Sequence, residues 1–133
     1  MKKLQDLNTR ILELALDRKC CAQIMMAIAL EDLEIDNPDL IKAMRATCYG
    51  FHYGSLCGSL VAASCILSLC HEQYSIVLAP ELFHWFRKKY GGLNCTDIVG
   101  TGVRDATKCV NLMVDTYYRC FDLLAEHGIE PEE

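Results

Sequence analysis

Nine cysteines, at positions 20, 21, 48, 57, 65, 70, 95, 109 and 120, are the residues best able to do chemistry in this 133-residue chain. A thiolate is a nucleophile and a soft-metal ligand, a pair of thiols is a two-electron couple, and a buried thiol is simply a small apolar group. Sequence context sorts the nine. Cys65 lies in Ala-Ala-Ser-Cys-Ile-Leu and Cys120 in Tyr-Tyr-Arg-Cys-Phe-Asp-Leu-Leu, so both read as packing residues. Cys48 and Cys70 read as packing or incidental. Cys57 follows a glycine-bearing loop at the expected start of a helix, where backbone N–H groups would lower its pKa and favour thiolate. Cys95 sits in a polar turn, Gly-Gly-Leu-Asn-Cys-Thr-Asp. Cys20 and Cys21 head a helix, but neighbours on a helix point about 100° apart, so the two are not expected to serve one centre.

No local motif sharpens this. There is no Cys-x-x-Cys, so a thioredoxin-type dithiol is absent. Leu67 stands where Cys-x-x-Cys-His would need its first cysteine, so Cys70-His71 is no haem motif. The paired spacing of a zinc ribbon is missing. His52 and His84 have no ligand partner at helical spacing and read as loop or surface residues. Gly50 and Gly54 are too sparse for a phosphate loop, and no serine elbow appears. Glu31, Asp32 and Glu34 read as the solvated end of a helix. Any site must be assembled from cysteines distant in sequence.

The elements that would position them read as an all-α single domain over residues 1–133, a compact bundle of about five to six helices. Leu4, Leu7, Ile11, Leu14 and Leu16 give a first helix over about 3–17, with Asp17-Arg18-Lys19 as a break. Residues 20–33 are apolar nearly all round, which predicts a central helix. Asn37-Pro38 starts a third, to about Thr47. Residues 56–71 form a fourth, with Ser55 as its cap. Ala79-Pro80-Glu81 starts a fifth that stops at Gly91-Gly92, with a turn from Val77 as an optional extension. A loop through Asn94-Cys95-Thr96-Asp97 passes Gly100 and Gly102, and a last helix spans about 103–127. No strand alternation or internal repeat is visible.

Composition limits the partners. At 52% hydrophobic and 23% charged, the chain can fill one core and is not disordered. A net charge of −5 with no dense basic patch argues against nucleic acid. No signal peptide or membrane span is seen, so a cytoplasmic, reducing location is expected. A disulfide framework is then not expected. The aromatics at His84-Trp85-Phe86 and Tyr117-Tyr118 read as core, with a docking or homodimer face as the alternative.

The order of the cysteines resembles the redox-active family named for its C_GCAxxG_C_C pattern, over about residues 10–125. Cys21-Ala22-Gln23 is similar to its first element. Cys57-Gly58-Ser59-Leu60-Val61-Ala62 is similar to its second element, read as Cys-Gly-Ala-x-x-Gly, with Ser59 for alanine and Ala62 for the second glycine. Cys95-Thr-Asp-Ile-Val-Gly100 and Lys108-Cys109-Val110 supply the remaining two. The resemblance implies an all-helical domain in which Cys21, Cys57, Cys95 and Cys109 converge on one redox site, leaving Cys20, Cys48, Cys65, Cys70 and Cys120 as bystanders. Four thiolates are the ligand set of an iron–sulfur cluster and of structural zinc, and four thiols equally make two cycling disulfides. Three functions therefore stand open: electron transfer or thiol chemistry with a redox partner protein, a zinc-type metal-binding or sensing module, and a helical interaction domain with structural cysteines.

Overall fold

The computed structural model describes residues 6–99 and 106–130. The expected helix starts at residues 3 and 103, and the glycines at 100 and 102, lie outside them. The described residues form seven α-helices, α1 (Leu7–Leu16), α2 (Cys21–Leu33), α3 (Pro38–Ala43), α4 (Gly58–Cys70), α5 (Ser75–Tyr90), α6 (Cys95–Val99) and α7 (Ala106–Glu126), with a 3-10 turn over Met44–Thr47. The all-α reading holds. The expected count of five to six is corrected to seven.

Local chemistry sets the helix ends. Asp6 caps α1 by accepting the Asn8 N–H at 3.0 Å, and α1 stops before Arg18, which turns left-handed at φ 62°. The Gln23 side chain accepts the Cys20 N–H at 3.3 Å at the head of α2. Pro38 opens α3, where its missing N–H costs nothing. The extra helix is α6, expected as loop. There the Asp97 carboxylate reaches back to accept the Asn94 N–H at 3.2 Å, which closes the first turn.

The fifth helix begins five residues earlier than Pro80 suggests. The Ser75 N–H bonds to the His71 carbonyl and the Leu78 N–H to Tyr74, so the first turn is complete before the proline arrives. Pro80 removes the donor that the Ile76 carbonyl would have met, and Ile76 is 79% exposed, so water can take that carbonyl.

α2 and α4 pack against one another at the centre, and α4 also packs on α5 and α7. Their all-round apolarity is used as expected: Met25, Met26, Ile28, Leu60, Ile66 and Leu67 are all sealed from solvent. Each such side chain contributes on the order of 1.5–3 kcal/mol by leaving water. Phe86 and Tyr117 join this core, while Trp85 is half-buried and Tyr118 is exposed. Asp32, expected at a solvated helix end, is instead buried and accepts the Tyr117 hydroxyl. A position near a helix C-terminus says nothing about α7 crossing over it, and α7 supplies the donor. No described helix is long and apolar enough to cross a membrane.

Candidate functional site

Cys21, Cys57, Cys95 and Cys109 line one cavity, together with Tyr49, Gly58, Ser59, Ile98, Val99 and Leu112. Its volume is about 20 Å³, room for roughly one water. Each cysteine comes from a different element: the first residue of α2, the residue before α4, the first of α6, and the fourth of α7. Cys57 and Cys95 are buried, Cys21 and Cys109 half-buried, and none of the four is in a disulfide. The four residues that the sequence singled out are thus brought together.

Two backbone devices place them. Leu56 and Asn94 form an isolated antiparallel bridge. Across it the Cys57 N–H donates to the Leu93 carbonyl at 2.9 Å, and the Cys95 N–H donates to the Ser55 carbonyl at 2.7 Å. The second and third cysteines are therefore pinned side by side through their own main chain. The second device is the absence of a side chain at Gly58. A Cβ there would stand 3.0 Å from Cys21 Sγ, 2.9 Å from the Thr47 carbonyl oxygen and 3.1 Å from Cys48 Cα. Only glycine lets α4 begin this close to the head of α2. One turn further along α4, by contrast, Ala62 fits with its methyl fully buried.

The electrostatics overturn one expectation. Cys57 does sit at the start of α4, with the N–H groups of Leu60 and Ser59 favouring thiolate. Burial outweighs them, and charge on Cys21 and Cys95 would add to the effect, so the thiol is pushed up to about 11. The helix terminus still lowers the pKa, but loss of solvent raises it by more. Cys95, expected in an open polar turn, is buried in α6.

The remaining cysteines divide. Cys65 is half-buried against the core, and burial raises its pKa. Cys70 and Cys120 lie sealed inside it, their thiols likewise raised by burial, Cys70 to about 11. The Cys120 thiol donates to the Ala63 carbonyl at 3.6 Å. Those three are packing residues, as read. Cys20 and Cys48 are not independent bystanders, because they form a disulfide. Their 28-residue separation hid that pairing from any motif. The fold of α2 back over α3 and the 3-10 turn brings their Cα atoms to 6.1 Å.

A strained segment borders the cavity. Tyr49, Phe51 and His52 all have positive φ, between 55° and 61°. Such non-glycine residues cost on the order of 1–3 kcal/mol each and cluster at functional sites. Thr96 Oγ1 donates to the Gly54 carbonyl at 3.1 Å, tying this segment to α6. His52 bonds to the Arg45 carbonyl through its ring nitrogen and, like His84, is exposed and outside the cavity lining.

As a metal centre the set offers four soft sulfur donors. Among the described residues no three His, Cys, Asp or Glu side chains are gathered so that they could hold a metal ion.

No curated protein and no solved structure matches the chain. A family model described as "Putative redox-active protein (C_GCAxxG_C_C)" does match, over residues 19–124. That span contains all four cavity cysteines, and the chain belongs to this family.

Proposed function

We propose that this protein carries out two-electron thiol chemistry at Cys21, Cys57, Cys95 and Cys109, exchanging electrons with a partner protein's disulfide or dithiol. The observation that carries the reading is the convergence of four cysteines from four elements on one small cavity. Cys57 is the central thiol, since Cys21 and Cys95 both lie close enough to act on its charge. Oxidation joins Cys57 to one of them, releases two protons and passes two electrons to the partner's disulfide, which opens to two thiols.

The high pKa makes Cys57 a resting thiol rather than a standing nucleophile. Any opening that admits water removes the burial penalty, while the N–H groups of Ser59 and Leu60 remain to meet the forming thiolate. The strained residues beside Tyr49 supply an element with free energy to give up on such an opening.

A second reading, an iron–sulfur or zinc centre on the same four thiolates, is favoured by the soft donor set alone. Protein purified without oxygen separates the two. The thiol reading expects a colourless, metal-free protein whose four cavity cysteines oxidise and reduce reversibly. Iron with acid-labile sulfide, or one zinc per chain lost on substitution of Cys57, would replace it with the metal reading.

A further inference from the structure

We infer that residues 49–54 form a strap over the four-cysteine cavity, hinged at two glycines and latched by Thr96, whose lifting admits reactants to Cys21, Cys57 and Cys109. The gating does not depend on what the thiols do once they are reached.

Tyr49 lines the cavity and is 39% exposed, so it stands between the thiols and solvent. The ends of the segment are fixed. On one side Cys48 is held to Cys20 by the disulfide. On the other, the Cys57 and Cys95 N–H groups are bonded across the Leu56–Asn94 bridge. Between these anchors Gly50 and Gly54 turn left-handed, at φ 63° and 73°. Neither has room for a side chain: a Cβ at Gly50 would stand 2.3 Å from the Ser55 carbonyl oxygen, and one at Gly54 2.6 Å from Thr96 Cγ2. Glycines at both ends of a segment absorb the backbone rotation that a hinge needs.

Burial does little to hold the strap down. Within residues 49–54 Gly50 alone is buried, while Phe51 is 47% and Tyr53 89% exposed and His52 is exposed as well. Lifting therefore takes little apolar surface out of contact. It also releases the left-handed strain at Tyr49, Phe51 and His52.

Polar ties oppose the lifting. The Ser55 N–H donates to the Gly50 carbonyl at 3.0 Å, and the His52 ring nitrogen lies 3.1 Å from the Arg45 carbonyl oxygen. Thr96 Oγ1 donates to the Gly54 carbonyl at 3.1 Å. Thr96 belongs to α6, beside Cys95, so this bond joins the strap to the opposite wall of the cavity. A segment held by a few exposed hydrogen bonds, with few buried apolar contacts, opens locally while the rest of the fold stays intact.

The test compares the full-length protein, its Cys20–Cys48 bond closed, with Thr96→Val and Thr96→Ser. N-ethylmaleimide labelling of each cysteine and hydrogen–deuterium exchange over residues 49–55 are read by peptide mass spectrometry, with circular dichroism on the same samples. Valine keeps the shape of threonine but cannot donate, so the strap should open about fivefold more often, the worth of one hydrogen bond. Cys21, Cys57 and Cys109 should label faster by that factor, and exchange over residues 49–55 should rise with them. Cys70 and Cys120 should label as before, with the helical signal unchanged. Thr96→Ser, which keeps the hydroxyl, should hold both rates at their original values. His52→Ala, which cuts the tie to Arg45 without touching α6, should give the same pattern as Thr96→Val. Faster exchange over residues 49–55 with Cys21, Cys57 and Cys109 labelling as before overturns the inference. So does acceleration confined to Cys95, acceleration that reaches Cys70 and Cys120 equally, or no change in either rate.

Discussion

Gly58 and Cys21 are in contact across the α2–α4 interface: a Cβ at Gly58 would lie 3.0 Å from Cys21 Sγ. The first and second cysteine elements therefore depend on one another through a missing side chain. Gly58→Ala is expected to cost about 1–3 kcal/mol as α4 is forced away from Thr47 and Cys48. It should also change the alkylation rate of Cys21. Denaturant unfolding and thiol labelling read the two effects. Ala62→Gly, one turn further along α4, should cost only about 1 kcal/mol from helix propensity, with Cys21 labelling unchanged.

Cys57 should alkylate slowly at neutral pH. With its thiol at about 11, the rate should rise about tenfold per pH unit and keep rising beyond pH 9, where an ordinary thiol levels off. A plateau by pH 9 would show that burial does not dominate.

The same shift links to stability. A group whose pKa is higher folded than unfolded binds more protons in the folded state between those values, so stability falls as pH rises. Cys57 and Cys70 both move from 9.0 to about 11, so each contributes stability that is complete below pH 9 and lost through pH 11. Unfolding free energies across that window should fall by on the order of 2–3 kcal/mol per group. Cys57→Ser should remove one share of the slope.

Asp97→Ala should loosen Cys95. Without the carboxylate that accepts the Asn94 N–H, α6 loses its capping interaction, at a cost of about 1 kcal/mol. Faster labelling of Cys95, with Cys65 unchanged, is the expected signature.

Tyr117→Phe removes the hydroxyl that donates to buried Asp32 and should cost about 1–3 kcal/mol. Chemical denaturation measures it.

What the sequence made legible follows from range. The all-round apolarity of residues 20–33 and 56–71 foretold the central α2–α4 pair, because burial on every face leaves no polar stripe. The ordered spacing of Cys21, Cys57, Cys95 and Cys109 foretold their convergence through the family likeness. The rest depends on contacts between distant segments. The Asp32–Tyr117 bond, the Cys20–Cys48 disulfide and the Leu56–Asn94 bridge each join residues that no local pattern connects. The Cys57 thiol was misjudged for the same reason: its helix end is local, but the elements that bury it are not. Pro80 misplaced the start of α5 because a proline can sit beyond the first turn when the carbonyl it orphans faces water.

The most direct measurement of the central claim is disulfide mapping of the full-length protein after oxidation and after reduction, with the fold monitored by circular dichroism. The expected result is reversible cross-linking of Cys57 to Cys21 or Cys95 in the folded protein, with Cys65, Cys70 and Cys120 reduced throughout. Oxidation that spares Cys21, Cys57, Cys95 and Cys109 in the folded state, or that reaches them only as the helices melt, would contradict it.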